Sequence, residues 1–347
     1  MTKVLGRLGI GACLTSTLAL VGLAFPASAA SGISATRIAG ADRYSTAEAI
    51  AAAGFPSGAK VAVVASGLNY PDALAASYLA GRLHTTVLVT DPNSLSSAAH
   101  AALQQLKATG VDIVGGPAAV SNNVSSQLTA DGYQINRIFG SDRYGTAQAI
   151  AETFAPSFVA DLGSGGPAAI VASGVNFPDA LSAGPFSYGG SYPILLTDPS
   201  SLSSAAQTAL SQLKITQVVL MGGTAAVSAN VATQITAMGI TVDRLAGADR
   251  TQTAALLADD VELPLLGWTA TEANLARGDD YADALSGGGY AGGLDKPLVL
   301  TEDPNTLGSY TTAWLQEHSS TLSSLVVFGG TDAISAQTMT AAQQAAT

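Results

Sequence analysis

The stretch VAVVASGLNYPDALAASYLA, residues 61–80, contains the pattern that decides the fold of this 347-residue chain. It begins with a β-branched apolar run, passes through a turn marked by Gly67, Asn69 and Pro71, and continues as an alanine-rich segment. β-Branched residues favour strands, whereas alanine and leucine favour helices. The stretch therefore predicts a strand, a tight turn and a helix, in that order.

The turn of this stretch recurs twice, and three other phrases accompany it in a constant order. Each copy starts with an opening phrase: RIAGADRYSTAEAI (37–50), RIFGSDRYGTAQAI (137–150) and RLAGADRTQTAALL (244–257). The second phrase is ASGLNYPDAL (65–74), ASGVNFPDAL (172–181) and ARGDDYADAL (276–285). The third is VLVTDPNSLSS (87–97), ILLTDPSSLSS (194–204) and LVLTEDPNTLGS (298–309), and the fourth is IVGGPAAVS (113–121), LMGGTAAVS (220–228) and VFGGTDAIS (327–335). The chain therefore contains three copies of one unit.

Alternating strands and helices predict an α/β fold with parallel sheets that carry helices on their faces. Right-handed crossovers place all strand-to-helix turns on one edge of a sheet, and open parallel sheets bind ligands beyond that edge. The equivalent residues Arg43, Arg143 and Arg250 lie 100 and 107 residues apart, which is too long a period for a solenoid. Each copy is therefore expected to be a small domain with its site at the turns.

The predicted organisation is a signal peptide at residues 1–29, followed by repeats at 30–132, 133–239 and 240–347. No long spacer rich in proline, serine or charge separates the repeats, so we expect them to pack as one body. An isolated repeat should then be unstable.

The first 29 residues are typical of an export signal. Lys3 and Arg7 precede a mostly apolar run, and Ala27-Ser28-Ala29 resembles a cleavage site, so the mature protein should begin at about residue 30. The run contains several Gly, Ser and Thr residues and is too short and soft for a permanent membrane span. We therefore expect a secreted protein.

Charge limits the classes of partner. Removal of residues 1–29 moves the net charge from −11 to −13 and takes away Cys13, the only cysteine. An acidic chain is a poor partner for nucleic acid, because duplex binding depends on Lys and Arg at the phosphates. A chain without disulfides needs a sizeable core, which a hydrophobic content of 48% supplies.

The arginines are concentrated in the opening phrases. After the signal peptide the chain has eight arginines, six of them in these phrases: Arg37, Arg43, Arg137, Arg143, Arg244 and Arg250. The guanidinium fork suits carboxylate or phosphate, so ligand contact is one interpretation. A buried Asp-Arg pair between adjacent copies is the other, and both stay open. The candidate ligand-binding residues outside the apolar runs are Asp42, Arg43, Asn69, Asp72, Asp142, Arg143, Asn176, Asp179, Asp249, Arg250 and Asp283.

Three aromatic residues, Tyr70, Phe177 and Tyr281, stand at equivalent places two residues before an aspartate. A ring at a loop tip stacks well on a sugar, with Asn69 or Asn176 bonding its hydroxyls. The alternative, which we favour, is that these rings cap the core, because large aromatics dominate core burial.

The sequence offers little support for catalysis or cofactors. Its three histidines, His84, His100 and His318, occupy no equivalent positions, so we expect no metal site. No Gly-Gly turn continues into a dinucleotide fingerprint, and we expect no cofactor. Paired carboxylates such as Asp42 and Asp72 leave a glycan hydrolase as an alternative, although we expect no catalytic residue.

On the four phrases together, the chain resembles the cell-wall-binding repeat type 2 family of Gram-positive surface proteins over residues 33–340. The resemblance implies three Rossmann-like repeats around a pseudo-threefold axis and a noncatalytic anchor that binds an anionic secondary wall polymer. It also implies a binding role for the family's PILL segment, which is complete only at Pro193, Ile194, Leu195 and Leu196. The third copy departs most, with Thr251 in place of the opening tyrosine and Ala282 in place of the proline before Asp283.

We therefore expect noncovalent binding to the cell wall through an anionic polymer such as a teichoic-acid-like glycan. The alternatives are a wall-modifying hydrolase that acts on peptidoglycan and a self-assembling surface-layer protein.

Overall fold

The computed structural model describes residues 32–154, 160–163 and 165–347. The predicted signal peptide, its cleavage site and Cys13 lie outside the described residues. Strands and helices alternate along the described chain, as the sequence predicts for an α/β fold.

The elements fall into three similar sets, one for each copy. Copy 1 contains strands β1 Ser34–Ile38, β2 Val61–Ser66, β3 Val87–Thr90 and β4 Gly110–Val114, with helices α1 Arg43–Gly54, α2 Pro71–Leu83, α3 Ser97–Gln105 and α4 Asn122–Ala130. Copy 2 contains β5 Gln134–Ile138, β6 Ala168–Ser173, β7 Ile194–Thr197 and β8 Gln217–Met221, with α5 Arg143–Glu152, α6 Pro178–Leu181, α7 Ala183–Gly190, α8 Ser204–Gln212 and α9 Ala229–Ala237. Copy 3 contains β9 Thr241–Leu245, β10 Glu272–Arg277, β11 Leu298–Thr301 and β12 Ser324–Phe328, with α10 Arg250–Leu257, α11 Leu263–Leu266, α12 Ala282–Gly293, α13 Ser309–Glu317 and α14 Ala336–Ala345.

Each copy contributes to two sheets. The three four-stranded sheets have the orders β3-β2-β4-β5, β7-β6-β8-β9 and β11-β10-β12-β1, and every pairing within them is parallel. The first strand of a copy is thus the edge strand of the preceding sheet. Strand β1 follows the same rule and pairs with β12, Ser34 opposite Ser324 and Ile38 opposite Phe328. The three sheets therefore form a closed ring.

Each sheet ends a few residues after the boundary of the corresponding sequence repeat. The predicted repeat boundaries at 132/133 and 239/240 fall just before β5 and β9, which pair with β4 and β8 of the preceding copy. A segment excised at those boundaries would carry its opening strand without the partner strand. The boundaries describe sequence repeats, and the sheet units end at Ile138, Leu245 and, through β1, Ile38.

Helices α2, α7 and α12 lie at the centre of the ring, where they pack against one another around a pseudo-threefold axis. Small residues permit this close approach: a Cβ built on Gly184 would lie 3.4 Å from the Cα of Gly288. The largest apolar cluster surrounds the axis and includes side chains from all three copies. Each sheet also packs its other face on a cluster of its own. The core is therefore shared, which holds the three copies in one body.

Candidate functional site

The opening phrase of each copy lies at the boundary with the preceding copy. On one side it contacts the second phrase of the same copy, and on the other side it contacts the second and fourth phrases of the preceding copy. We name the three contact regions by their copies: copies 1 and 2 meet at the first junction, copies 2 and 3 at the second, and copies 3 and 1 at the third. A cavity of 170 Å³ at the first junction is lined by Asn69, Asp72 and Gly116 from copy 1 and by Asp142, Arg143 and Thr146 from copy 2. The copied residues thus meet between copies.

The first arginine of each opening phrase bonds the fourth phrase of the preceding copy. Arg37 donates to the carbonyls of Gly329, Gly330 and Ile334 at 2.6, 3.0 and 2.8 Å. Arg137 and Arg244 make the equivalent bonds, to Gly115 at 2.8 Å and to Gly222 at 2.6 Å among others. Charged donors form strong hydrogen bonds with carbonyl oxygens, so these arginines fasten each Gly-Gly turn to the next copy.

The second arginine of each opening phrase donates to a carbonyl of its own second phrase. These bonds join Arg43 to Gly67, Arg143 to Gly174 and Arg250 to Gly278, at 2.7, 2.5 and 2.5 Å.

Two of these second arginines also reach the preceding copy. Arg43 lies 3.4 Å from the Tyr281 hydroxyl and 3.7 Å from a carboxylate oxygen of Asp280. Arg143 hydrogen-bonds with Tyr70. These contacts support the interpretation that the arginines hold the copies together.

The aspartates of the Asp-Arg pairs have a different task. Asp42 accepts from the Ser45 amide at 2.8 Å and caps α1, and these hydrogen bonds lower the pKa of its carboxyl. Asp142 and Asp249 cap α5 and α10 in the same way. The interpretation of a buried pair between Asp42 and Arg43 does not hold, because Asp42 is an exposed helix cap and the carboxylate partner of Arg43 is Asp280.

The aspartates of the second phrase lie behind the Gly-Gly turns. Gly115 has a φ of +108°, and a Cβ built on it would lie 2.6 Å from Asp72 Oδ2. Glycine is required here both for the backbone conformation and for the approach of the carboxylate. The equivalent contacts join Gly222 to Asp179 and Gly329 to Asp283.

A threonine of the next opening phrase completes two of the three junctions. Thr253 donates to Asp179 Oδ1 at 2.9 Å. A hydrogen bond from Thr146 and the charge of Arg143 limit the rise that burial causes in the pKa of Asp72. Two of the three second-phrase aspartates therefore have a donor from the next copy.

The third junction lacks this donor. Thr46 accepts from the Gly40 amide at 3.1 Å, and among the described residues no hydrogen bond or ion pair reaches the Asp283 carboxylate. Burial and the nearby charge of Asp280 raise the pKa of Asp283 to about 6, against the opposing charges of Arg277 and Arg43. This junction therefore holds a buried carboxylate with no bonded partner.

The cavity of the third junction is also larger and more acidic than that of the first. It measures 320 Å³, and its charged lining residues are Asp42, Arg43, Arg277, Asp280, Asp283 and Asp332. Arg277 is held by Asp279 through two bonds of 2.7 and 2.8 Å. In the second phrase of copy 3, Asp280 stands where copy 1 has Asn69, and this difference adds a negative charge to the cavity.

The aromatic residues and the asparagines lie around the axis. The rings of Tyr70, Phe177 and Tyr281 pack on one another with centroids 5.3 to 5.6 Å apart and contact the central core, as the core interpretation expects. Asn69 and Asn176 are exposed beside them.

The PILL segment lies elsewhere. Pro193 is buried ahead of β7, and the side chains of Ile194, Leu195 and Leu196 are at most 1% exposed. These side chains form the core of the copy 2 sheet and offer no exposed surface to a polymer, so the binding role that the resemblance implies for the segment stays a prediction.

Sequence reasoning missed the threonines and the acidic rim of the third junction. Thr46, Thr146 and Thr253 each follow the second arginine of an opening phrase by three residues, and this spacing was the available signal. Asp280 and Arg277 stand where the other copies have asparagine and serine.

The described residues contain neither a metal site nor a membrane-spanning helix. No group of three or more His, Cys, Asp or Glu side chains in this part of the chain is placed to hold a metal ion. Within the same residues, no helix is long and apolar enough to cross a membrane.

The family model "Cell wall binding domain 2 (CWB2)" matches residues 37–125, 137–232 and 244–339. These three matches coincide with the three copies of the four phrases and cover most of the chain.

Two curated relatives from Bacillus subtilis (strain 168) share 29% identity with the chain. N-acetylmuramoyl-L-alanine amidase LytC aligns over 92% of this chain and 60% of its own length. The amidase enhancer aligns over 77% of this chain and 34% of its own length. The chain therefore spans less than two thirds of either relative.

Two solved structures from Clostridium difficile share the fold. Cwp6 superposes with a TM-score of 0.77 at 23% identity, over 90% of this chain and 48% of its own. Cwp8 superposes with a TM-score of 0.76 at 23% identity, over 90% of this chain and 52% of its own. The three-copy α/β ring is thus a known architecture.

Proposed function

The chain belongs to the Cell wall binding domain 2 family, and we propose that it binds the cell wall noncovalently through an anionic wall polymer held at the junctions, and that it catalyses no reaction. The observation that carries the proposal is the recurrence of one polar junction between successive copies. A polymer of identical units can engage several such sites at once, so weak sites add through effective concentration. The family implies a place at the cell wall or cell surface, and we propose that the chain reaches it by secretion.

The first junction is the best candidate for the anionic part of the polymer. Arg143 lines its cavity, which also contains the hydrogen-bonding groups of Asn69 and Thr146. A guanidinium binds phosphate or carboxylate oxygens in a fork, and hydroxyls of a glycan suit the neighbouring amide and carboxylates. The partly exposed Arg43 occupies the equivalent position at the third junction.

Retention of the full-length protein on isolated walls tests the proposal. We expect strong retention on intact walls and little on walls stripped of their secondary polymer, with no release of reducing ends or free amines. Release of either product would favour a hydrolase, and equal retention on stripped walls would exclude the polymer as the ligand.

Arg143→Lys tests the role of the guanidinium. The change keeps the charge but loses the fork, so retention should fall about ten-fold, as for the loss of one good charged hydrogen bond. Lys60→Arg, at an exposed position outside the junctions, is the matched control and should bind like the parent. A circular dichroism melt of each variant separates lost contact from lost folding. Normal retention with an unchanged melting temperature would show that Arg143 does not touch the polymer.

A further inference from the structure

We propose that the third-junction cavity binds a cationic group, a primary ammonium such as an amino sugar of the wall glycan carries, on the carboxylates of Asp283 and Asp280. The inference rests on the proposed function and adds a chemical class of ligand to it. The cavity also has the size for such a group, at 320 Å³ against 170 Å³ at the first junction.

Asp283 is the central observation. It is 9% exposed, lines the cavity, and receives no hydrogen bond or ion pair from the described residues. Buried carboxylates are costly unless they are paired, and the equivalent Asp179 is bonded by Thr253. A buried carboxylate that opens on a cavity without a bonded partner is a binding group for a cation.

The remaining charges favour a cation and place it near the rim. Asp280, Asp332 and Asp42 also line the cavity, and its two arginines lie next to carboxylates, Arg277 with Asp279 at 2.7 Å and Arg43 with Asp280 at 3.7 Å. The lining thus has more negative than positive groups. The first junction has only two carboxylates and one arginine around its cavity. A cationic substituent would therefore prefer the third junction.

The arrangement suits an ammonium better than a metal ion. An ammonium has three N–H donors, which can be shared between the Asp283 and Asp280 carboxylates and a carbonyl oxygen. Calcium needs six to eight oxygen ligands, and two guanidinium groups face this cavity. No metal-holding group of three acidic or histidine side chains occurs among residues of the described ranges.

Ammonium binding would also reconcile an acidic protein with a wall polymer. At a net charge of −11 the chain repels a pure polyanion at long range. A glycan that carries amino groups as well as acidic groups offers the third junction a positive contact and the first junction a negative one. The two junctions would then bind different groups of one polymer, the third its amino groups and the first its acidic groups.

Glucosamine and N-acetylglucosamine are the probes, because they differ in the positive charge at one nitrogen. We expect glucosamine, added to the full-length protein at pH 7, to shift the amide resonances of Gly330 and Thr331 and to bind about ten-fold more tightly than N-acetylglucosamine. The amide of Gly116, at the first junction, should respond equally to both sugars. Binding of both sugars with equal affinity at Gly330 would overturn the proposal.

Asp283→Asn should remove the preference for glucosamine, whereas the matched change Asp72→Asn at the first junction should leave it. Asp280→Asn, at the rim, should weaken glucosamine binding without risk to the core. Because the ligand needs the ionised carboxylate, binding should weaken about ten-fold from pH 7 to pH 5, below the pKa of Asp283 at about 6. An affinity that does not change with pH would count against Asp283.

Calcium chloride is the third probe. If Ca²⁺ shifts the same amides while glucosamine does not, the cavity is a metal site and the proposal is wrong. Wall retention of the parent protein separates the two proposals: a parent that binds walls but shows no glucosamine preference refutes the ammonium site alone. A parent protein that fails to bind walls refutes the proposed function, whatever glucosamine does.

Discussion

The second and third junctions use the same phrases, but the second-phrase aspartate has different partners in each. At the second, Asp179 accepts a hydrogen bond from Thr253. At the third, Asp283 faces Asp280 and receives no bond within the described chain, and its pKa rises to about 6. The chain connection differs too, because copy 3 directly follows copy 2 along the chain, whereas β1 of copy 1 pairs with β12 of copy 3 from the other end of the described chain. The comparison teaches that a fold of three repeated copies can contain one divergent junction while the other two junctions keep their hydrogen bonds.

Deletion of residues 32–39 should produce the largest difference between the junctions. It removes β1 and the three carbonyl bonds of Arg37, so we expect a loss on the order of 5 kcal/mol in the free energy of unfolding, comparable with the whole stability of many domains. Urea denaturation measures it.

A circular permutant is the control for this deletion. Gln343 bonds the carbonyl of Ile33 at 3.2 Å, so the end of α14 lies beside the start of β1. In the permutant, residues 32–58 follow Thr347. Strand β1 then comes directly after α14, as β5 comes directly after α4 in the parent. The permutant should melt close to the parent, and a melt as low as that of the deletion would argue against the closed ring.

Asp283→Asn should stabilise the protein in a pH-dependent way. The folded pKa of Asp283 lies above the unfolded value of about 3.9, so the stability contribution of this group is present below pH 4 and is lost as pH rises through about 6. At pH 7.5 we expect a gain of about 2–3 kcal/mol for the variant, and little difference at pH 4. Thermal melts across this range check the sign.

The matched change Asp179→Asn should not stabilise, because Asp179 already has a hydrogen-bonded partner. A similar gain for both variants would show that the two junctions do not differ in the way the hydrogen bonds indicate.

Threonine-to-valine changes should give the smallest difference. Thr253→Val removes the donor to Asp179 and the acceptor for the Gly247 amide, whereas Thr46→Val removes only an acceptor. We expect Thr253→Val to cost about 1 kcal/mol more in the free energy of unfolding, the usual value of one hydrogen bond. Equal costs in urea denaturation would mean that Thr46 also bonds Asp283 in solution.

The strands, helices and turns of the fold were predictable because each is encoded locally. The run at 61–66 is a strand in all three copies, and the turn after it leads into a helix each time, although this helix is divided at Ser182 in copy 2. The partner of β1 was not predictable, since an edge strand is assigned by the closure of the whole ring. The PILL segment shows the same limit: Ile194, Leu195 and Leu196 follow a strand pattern, and their burial follows from packing in the copy 2 sheet.

The candidate site was predictable in its residue types but not in its partners. The pairs of Arg and Asp in the opening phrases were visible, yet Asp42 caps a helix while Arg43 bonds a carboxylate in another copy. Contacts across copies depend on how the copies face one another, and a linear repeat carries no direct signal of that.

The return of β1 to β12 sets the order in which the molecule can be completed. Ser34 precedes its partner Ser324 by 290 residues, so the last sheet closes only after β12 has been synthesised. Pairings over such separations form slowly, because loop closure costs entropy before any contact repays it. In the interval β12 presents an open edge that the β1 strand of a neighbouring molecule fits equally well. Crowded refolding should therefore yield strand-exchanged oligomers, closed by the same register that closes the monomer.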